Sequence, residues 1–323
     1  MAKKSVAVIY GGNSSEHQVS IQSGKNVAAN LDRERYDVYE ILIKGKSWTL
    51  IARNGEEMEP AEINKTDFSA AGVHFDVAFI MIHGTPGENG LLQGYFEMLE
   101  IPFTTCNAFV SNIAFDKYSC KRFLDFAGVK FAKDCYIRKG RPYSPRSIVA
   151  QLGLPLFIKP TNGGSSFGVT KVKSMEEIEP AVERAFLEND AVMAEEAIVG
   201  REVTNGIFTD RGKIINLPVT EIVTEREFFD FEAKYQGLSK EICPAPLPPH
   251  ITEQIQQMTT HIYTFMGCSG LVRMDYIIKG EEIFFLEMNM VPGMTPMSLI
   301  PAQVRAAGIE IKEFFTALIE SAK

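Results

Sequence analysis

The sequence predicts a mixed α/β fold built from more than one domain. Residues 6–10 form an apolar run that predicts a buried strand, and a glycine turn and a helix ending near Asn30 follow it. Residues 75–82 predict a second buried strand, which three glycines and a proline separate from a helix over residues 91–99. With 323 residues, 45% of them hydrophobic and 23% charged, the chain is long enough for two or three packed domains.

The remaining elements continue this mixture of strands and helices. Capping boxes, in which a serine precedes Gln or Glu by three residues, are expected to open two of the helices. The first box spans residues 15–18, and a first domain is predicted to end near residue 103. A helix over residues 111–127, stopped by Gly128, precedes a small strand-loop-strand-helix-strand unit over residues 153–198, which contains the second box at residues 174–177. A helix over residues 251–266, a hairpin and a C-terminal helix follow.

Composition and charge exclude several classes of protein. The net charge is −8 and no basic run exceeds two residues, so the electrostatic footprint of a nucleic-acid-binding protein is missing. The longest purely apolar run, residues 77–82, is too short to cross a membrane, and the first residues do not form a signal peptide. The five cysteines form no Cys-x-x-Cys pair, which argues against a zinc site, and their odd number argues against a disulfide framework. We therefore expect a cytoplasmic protein without nucleic-acid or membrane partners.

Four polar side chains lie in two neighbouring strand-like runs near the C-terminus. Arg273 and Asp275 fall in the first run, and Glu287 and Asn289 end the second. Because side chains alternate along a strand, each pair shares one face, and a three-residue turn at residues 279–281 would put all four on one side of a hairpin. Carboxylate oxygens beside nucleotide phosphates suit Mg²⁺, so the pattern predicts a protein that handles ATP. The alternative for the arginine is a structural ion pair with one of the carboxylates.

Residues 157–172 contain a loop rich in glycine and serine between two strands. Its glycine spacing is similar to that of a P-loop, but no Lys-Ser or Lys-Thr follows Gly168 and the next element is a strand, so a Walker A motif is excluded. Glycine backbone N–H groups can still approach phosphates closely, and Lys159, inside an apolar strand, adds positive charge. The alternative is a flexible surface hairpin.

Three further features suit a nucleotide or substrate site. Residues 195–202 leave a strand and enter a turn, where backbone groups could bind a base and Glu202 could bind ribose hydroxyls, although such turns are often merely solvated. Residues 225–237 mix aromatic and charged side chains, which is typical of a lid and also of an exposed loop. His83, between a buried strand and a glycine turn, is the histidine that we keep as a candidate.

Six motifs occur in a fixed order over almost the whole chain. They are Ser15-Glu16-His17-x-Val19-Ser20, His83-Gly84-x-x-Gly87-Glu88-Asn89-Gly90, Lys159-Pro160-x-x-x-Gly164-Ser165-Ser166-x-Gly168, Lys234-Tyr235, Arg273-x-Asp275 and Glu287-x-Asn289-x-x-Pro292-Gly293-x-Thr295. Together they resemble the motifs of D-alanine:D-alanine ligases of the ATP-grasp superfamily.

This resemblance implies three α/β domains, with ATP held between the central and C-terminal ones. The domains would be residues 1–103 on the side of the first D-alanine, residues 104–195 in the centre, and residues 196–323 with the lid and the metal site. The implied reaction joins two D-alanine molecules through an acyl phosphate, releases ADP and phosphate, and serves peptidoglycan precursor synthesis. The implied cofactor is Mg²⁺ in two ions, with Mn²⁺ as an alternative, and the implied assembly is a homodimer.

The resemblance also assigns site residues, position by position. The ATP contacts would be Lys117, Lys159, Ser166, Glu195, Ile198, Glu202 and Lys234, and the metal ligands would be Asp275, Glu287 and Asn289. The catalytic set would be Glu16, Ser165, Tyr235, Arg273 and Gly293. The D-alanine sites would include Glu16, His83, Ser298 and Leu299, with the Ser298 hydroxyl binding the carboxylate of the second substrate.

The implied catalytic set has two parts. Arg273 and the backbone N–H of Gly293 would form an oxyanion hole for the tetrahedral intermediate. Glu16 would receive the ammonium group of the first D-alanine. With Ser165 and Tyr235, it would also form a hydrogen-bonded set that joins the phosphate loop to the lid.

Three positions depart from the family pattern without removing a phosphate, metal or oxyanion group. Asn89 stands where Asp is usual, Met290 where Thr is common, and Glu196 where Lys is frequent. Tyr235 is kept, whereas relatives that use D-lactate tend to alter this part of the lid, so we expect a dipeptide product.

Three other functions compete with this interpretation. A ligase that joins D-alanine to D-serine or D-lactate is the alternative within the family. A dinucleotide-binding oxidoreductase would need G-x-G-x-x-G, which residues 11–16 lack. A nucleotide-binding regulator without turnover would be expected to lose a metal or oxyanion group, and none is lost.

Overall fold

The structure, a computed structural model, describes residues 3–164, 167–224 and 239–323. The strands are β1 (Lys4–Gly11), β2 (Tyr36–Lys44), β3 (Ser47–Arg53), β4 (Glu56–Glu62), β5 (Ser69–Ala70), β6 (Val73–His74), β7 (Val77–Ile80), β8 (Asp134–Arg138), β9 (Leu156–Pro160), β10 (Thr170–Val172), β11 (Ala191–Glu196), β12 (Arg201–Asp210), β13 (Lys213–Asn216), β14 (Thr220–Thr224), β15 (Ser239–Ile242), β16 (Leu271–Lys279) and β17 (Glu282–Asn289). The helices are α1 (His17–Asn30), α2 (Leu91–Met98), α3 (Ala108–Phe115), α4 (Lys117–Asp125), α5 (Pro145–Leu152), α6 (Ile178–Ala185), α7 (Pro249–Met266), α8 (Leu299–Ala306) and α9 (Ile311–Glu320). Within the described ranges, no helix is long and apolar enough to cross a membrane.

The first sheet has the strand order β4-β3-β2-β1-β7, and β1 runs parallel to both of its neighbours. Residues 6–11 of β1 are all buried, as expected for a central strand that is covered on both faces. The core of this sheet includes the last helix, since the ring of Phe315 lies 5.9 Å from that of Phe79, and the ring of Phe314 lies 5.0 Å from that of Phe208 in β12. The two ends of the chain therefore share one core.

Two antiparallel sheets follow. The second sheet has the order β10-β9-β11-β8 and packs against α5 and α6. The third has the order β15-β14-β12-β16-β17, with β13 paired to β12, and packs against α7. The predicted mixed α/β fold is confirmed, whereas the domain boundaries near residues 103 and 195 stay predictions.

The helix predicted over residues 111–127 is instead two helices, α3 and α4. Asp116 between them has an extended backbone, with φ −88° and ψ 107°, and its carboxylate accepts a 2.7 Å hydrogen bond from the backbone N–H of Ser119. Aspartate is a favoured N-cap because this bond satisfies a donor that would otherwise be unpaired. The prediction was wrong because the apolar pattern continues across the cap. The break places Lys117 at the first position of α4.

Both predicted capping boxes are wrong. No side-chain hydrogen bond caps α1, whose N-cap is Glu16, or the short 3₁₀ turn Met175–Glu177 before α6. The hydroxyl of Ser14 accepts a 3.2 Å hydrogen bond from the backbone N–H of Glu16, and Glu177 accepts one of 2.9 Å from the backbone N–H of Lys173. Near both helices, local side-chain oxygens therefore accept hydrogen bonds from backbone N–H groups that precede the first turn.

The first sheet is also larger than predicted. The strand expected over residues 75–82 is the shorter β7, and neither strands β2 to β4 of this sheet nor the separate two-stranded sheet of β5 and β6 were predicted. Strand β4 shows why, because it is mostly exposed and carries four glutamates, so it lacks the alternation of apolar and polar residues that marks a half-buried strand.

We predict opposite effects for the same substitution at two helical glycines. A Cβ added at Gly24 in α1 would overlap the ring of Tyr10, so Gly24→Ala should lower the free energy of unfolding by about 1–3 kcal/mol through overpacking. At Gly94 in α2 the nearest atom to an added Cβ, the Cβ of Ala108, is 3.7 Å away. Gly94→Ala should therefore be neutral or stabilise by up to ~1 kcal/mol, since alanine favours helices. Urea unfolding of both variants checks this, and equal effects would contradict it.

Candidate active site

A cleft of about 500 Å³ lies between the second and third sheets. The predicted site residues that line it are Lys117, Lys159, Glu195, Ile198, Glu202, Arg273, Asp275, Glu287 and Leu299. The predicted residues Ser165, Ser166, Lys234 and Tyr235 lie outside the described residues. The structure therefore brings together, in one cavity, most of the described residues that were assigned to ATP and metal.

The hairpin of β16 and β17 brings the four polar side chains together, but its turn differs from the predicted one. Its turn has two residues rather than three, because Lys279 pairs directly with Glu282. A β-bulge then adds Leu286 to β17, and this extra residue restores the register that the shorter turn would have lost. Asp275 consequently faces Glu287. The same register puts Arg273 opposite Asn289, so the four side chains do meet on one face.

Asp275 is the most heavily bonded carboxylate of this hairpin. Arg273 binds it with two hydrogen bonds of 2.9 Å, the hydroxyl of Thr204 donates at 2.6 Å, and the amide of Asn289 donates at 3.2 Å. The structural ion pair considered as the alternative for Arg273 is therefore present, while the oxyanion role stays a prediction. Sequence analysis missed Thr204, which pairs with Asp275. Strand β12 also carries Asn205 and Thr209, so the amino-acid pattern does not single out Thr204.

Glu287 lies beside Lys117 at the start of α4. The ammonium nitrogen of Lys117 is 3.2 Å from Glu287 and donates a 2.8 Å hydrogen bond to the carbonyl oxygen of Gly163 in the glycine-rich loop. Burial lowers the pKa of Lys117, but Glu287, together with the nearby charges of Glu88 and Glu16, outweighs burial and leaves that pKa above its ordinary value. The lysine therefore stays charged and links the loop to the hairpin.

The donor set at this edge fits a hard divalent cation. Asp275 and Glu287 supply carboxylate oxygens, and Asn289 supplies an amide oxygen from the same face of the hairpin. Mg²⁺ prefers oxygen ligands of this kind and usually needs only one or two carboxylates when phosphates complete its coordination.

A buried ion cluster forms the floor of the cleft beneath Lys159. Glu195 in β11 binds Lys121 through one oxygen and Lys159 through the other, the latter at 2.6 Å. Burial raises the pKa of Glu195, but the two lysines outweigh burial, and the net shift is downward. Burial lowers the pKa of Lys159. The predicted contact of Glu195 with adenine stays a prediction, and the structure adds that both carboxylate oxygens are already bound by lysines.

Lys121 is a site residue that sequence analysis missed. It is 1% exposed, on the same face of α4 as the buried Cys120 and Leu124. A lysine among buried positions, one helical turn after Lys117, was the available signal.

The N-terminal part of the site surrounds the start of α1. Glu16 lies against Gly164 of the glycine-rich loop so closely that a Cβ at Gly164 would overlap its carboxylate. His83 is buried; its Nδ1 donates a 2.8 Å hydrogen bond to the carbonyl oxygen of Val291, and its Nε2 lies 3.4 Å from the hydroxyl of Ser23. These contacts bring the predicted substrate residues of the first sheet next to the segment that follows β17.

Glu88 is a second residue that the assignments left out. Its carboxylate accepts hydrogen bonds from the backbone N–H groups of Gly84, at 2.7 Å, and Val291, at 3.2 Å. Burial, together with the nearby charge of Glu16, raises its pKa to about 8. Glu88 therefore joins the loop after β7 to the segment after β17.

Gly293 and Ser298 lie together at the start of α8. A Cβ at Gly293 would be 3.0 Å from the hydroxyl oxygen of Ser298, and that hydroxyl accepts a 3.1 Å hydrogen bond from the backbone N–H of Thr295. Asn26 of α1 donates a 2.6 Å hydrogen bond to the carbonyl oxygen of Met294 between them. The loop that carries the predicted oxyanion and second-substrate residues is thus fixed to the first helix.

We predict that His83 makes stability depend on pH. Burial lowers the pKa of His83 below its usual value of about 6.5, so below that pH the unfolded chain binds a proton that the folded protein excludes. The free energy of unfolding should therefore fall between pH 7.5 and 5.5 by about 1 kcal/mol from this group, and His83→Gln should remove that part. His74→Gln, at an exposed histidine, should keep the wild-type slope. Identical slopes for all three proteins would contradict the prediction.

Known proteins match this sequence over almost the whole chain. Residues 5–106 match the family model described as D-ala D-ala ligase N-terminus, and residues 125–320 match the one described as D-ala D-ala ligase C-terminus. A curated relative, the D-alanine–D-alanine ligase of Phocaeicola vulgatus, is 46% identical over 322 residues, which cover 99% of each chain.

Solved structures are similar over the same length. The VanG D-Ala:D-Ser ligase from Enterococcus faecalis has a TM-score of 0.88 at 32% identity and covers 99% of each chain. The D-alanine–D-alanine ligase from Bacillus anthracis complexed with ATP has a TM-score of 0.80 at 29% identity, covering 98% of this chain and 97% of that one. With its ATP-grasp fold and both family models matched, the chain belongs to the D-alanine–D-alanine ligase family.

Proposed function

We propose that this protein joins two D-alanine molecules into D-alanyl-D-alanine while ATP is converted into ADP and phosphate. The observation that carries the proposal is the cleft wall in which Asp275 faces Glu287 across a hairpin, with Lys117 and Lys159 opposite. Paired carboxylates and two lysines are what a phosphoryl-transfer site needs, because its task is mainly positioning and charge neutralisation. Family membership supports the same conclusion.

The nucleotide occupies the cleft in this proposal. Lys117 and Lys159 contact its phosphates, Ile198 lies at the adenine edge, and Glu202 of β12 binds the ribose. The cleft volume of about 500 Å³ is within the range of small-molecule and cofactor sites. Asp275, Glu287 and Asn289 would hold Mg²⁺, which would supply positive charge to the phosphoryl group.

The chain's own residues then serve two successive steps. A carboxylate oxygen of the first D-alanine attacks the γ-phosphorus, and the bond from that phosphorus to the bridging oxygen of ADP breaks, which gives an acyl phosphate. The neutral amine of the second D-alanine attacks the acyl carbon to give a tetrahedral intermediate, the nitrogen loses a proton, and the bond to phosphate breaks, so that the products are the amide and hydrogen phosphate. Arg273 and the backbone N–H of Gly293 stabilise the oxyanion, a role in which one donor is typically worth about 3 kcal/mol of barrier. Glu16 binds the first ammonium group, and Ser298 binds the second carboxylate.

Two further parts of the proposal concern the protein rather than the chemistry. We propose domains of residues 1–103, 104–195 and 196–323; this is supported by the three larger sheets being built from successive stretches of the chain, apart from Glu196 at the end of β11. The location in the cytoplasm remains a prediction from the sequence, and a homodimer remains one from the family resemblance.

The first experiment measures ADP release from the purified protein with ATP and Mg²⁺. We expect release that depends on D-alanine and a product with the mass of D-alanyl-D-alanine, whereas L-alanine should give none. Binding of ATP without any D-alanine-dependent turnover would reject the proposed reaction and keep the fold.

D-Serine and D-lactate test the alternative acceptors in the same assay. A D-Ala:D-Ser ligase is among the similar structures, so this comparison is the one that matters most. We expect the dipeptide to dominate at neutral pH when D-alanine competes with either acceptor at equal concentration. Equal use of D-lactate or preferred use of D-serine would reject the assignment of the second substrate.

We predict that Glu287→Gln abolishes turnover, with a loss of kcat of at least about a hundredfold, because it removes a charged ligand from the site where charge develops. Glu282→Gln is the matched control, since Glu282 begins the same strand but is exposed and pairs with Lys130. The control should keep wild-type kcat, and both variants should keep the wild-type melting temperature within a few degrees. Near-normal activity of Glu287→Gln would remove the metal assignment.

A further inference from the structure

The ion cluster beneath Lys159 is built across three strands of the second sheet. Asp134 in β8 pairs directly with Glu195 in β11, while Lys159 in β9 pairs with Met193, two residues before Glu195. Directly opposite and diagonal neighbours of an antiparallel ladder lie on one face. Two carboxylates and a lysine therefore stand in a row on that face.

Helix α4 covers this row and adds two cations. Lys121 contacts Glu195 and lies 3.8 Å from Asp134, and Arg122 lies 2.9 Å from the same aspartate. The side chains of Lys121 and Asp134 are each 1% exposed and that of Glu195 is 4% exposed, whereas Arg122 is 43% exposed. Most of the cluster is thus screened from water, so its charges act strongly on one another.

The charges of the cluster do not balance. Among the ion pairs of the described residues, three cations, Lys121, Arg122 and Lys159, face only the two carboxylates. Arg122 satisfies Asp134, and Lys121 shares Glu195 with Lys159. One positive charge is left over, and of the three cations only Lys159 lines the cleft.

Without Lys121, the cluster would have no excess positive charge at the cleft. Glu195 would then pair with Lys159 alone, and a neutral pair would attract a phosphate far less than a net positive charge does. Stability does not account for the arrangement, because buried ion pairs are weak sources of stability once desolvation is included.

We propose that Lys121 is a positioning residue of the nucleotide site: by neutralising Glu195 from the buried side, it keeps the charge of Lys159 available to the phosphates of a bound nucleotide. This inference rests on the proposed ATP site. Lys121 itself touches no ligand in this proposal and acts only through Glu195.

The test compares the binding of ADP with that of adenosine, which has the same base and sugar but no phosphate. Isothermal titration would be done on the full chain as wild type, Lys121→Met, Lys121→Met with Glu195→Gln, and Lys139→Met. Lys139 is the matched control because it pairs with Asp190 at the exposed end of the same sheet and does not line the cleft.

We expect Lys121→Met to weaken ADP binding by about tenfold to a hundredfold, the value of a charged hydrogen bond, and to leave adenosine binding within about twofold. Adding Glu195→Gln should restore the wild-type ratio of ADP affinity to adenosine affinity, because Lys159 regains its uncompensated charge, whereas loss of the adenine contact predicted for Glu195 would weaken both ligands equally. Lys139→Met should bind both ligands as the wild type does. A merely structural role would instead weaken ADP and adenosine equally and would not be corrected by the second substitution.

If Lys121→Met does not fold, the double variant provides the test. In the double variant no carboxylate of the cluster is left unpaired, because Glu195 is replaced by Gln. A ratio of ADP affinity to adenosine affinity within about threefold of wild type supports the inference, because the cluster carries the same net charge in both proteins. A tenfold loss of ADP binding by the double variant, with adenosine unchanged, overturns it. Wild-type protein that binds no ADP would reject the nucleotide site and this inference together, whereas unchanged ADP binding by folded Lys121→Met would reject the inference alone.

Discussion

The need of a buried carboxylate for a cationic partner organises the cleft. Asp275 is held by Arg273, Glu287 by Lys117, and Glu195 by Lys121 and Lys159. Removing the partner of a buried carboxylate such as Asp275 leaves a charge uncompensated, which is strongly destabilising, whereas the Glu287 side chain is 24% exposed and depends less on its partner. The pairs of Glu287 and Glu195 also join parts of the chain that are far apart in sequence, because α4 supplies the lysine in one case to the hairpin of β16 and β17 and in the other to the second sheet. The walls of the cleft are therefore positioned by the same charges that we assign to nucleotide and metal binding.

A second set of contacts fixes the N-terminal side of the site through backbone groups. His83 and Glu88 both bind Val291, one at its carbonyl oxygen and the other at its N–H, and Ser23 of α1 accepts a 3.1 Å hydrogen bond from the N–H of Met294. These bonds hold the segment after β17 against the first sheet. The proposed oxyanion donor Gly293 lies in that segment. The direction of its backbone N–H therefore depends on His83, which was predicted as a substrate contact, and on Glu88, which was not predicted as a site residue.

Sequence patterns predicted the parts of the site that depend on local periodicity. Alternation along β16 and β17 was enough to group Asp275 with Glu287, but a two-residue turn and a bulge at Leu286 replaced the predicted turn, and such irregularities have no signature in the apolar pattern. The break at Asp116 was hidden in the same way by apolar residues on both sides. Thr204, Lys121 and Glu88 were missed for a different reason: their roles come from partners in other strands and helices, and a single sequence does not show which buried polar residues meet.

The core shared by the two ends of the chain has a consequence for synthesis. The first sheet comes from roughly the first quarter of the sequence, yet part of its apolar surface is covered by Phe315, Leu318 and Ile319 in α9. During translation this surface has no native cover until the last helix leaves the ribosome, and contacts between such distant residues form slowly. The nascent N-terminal segment would therefore expose an incomplete hydrophobic layer until α9 is made, and loss of α9 would be a defect of the first sheet.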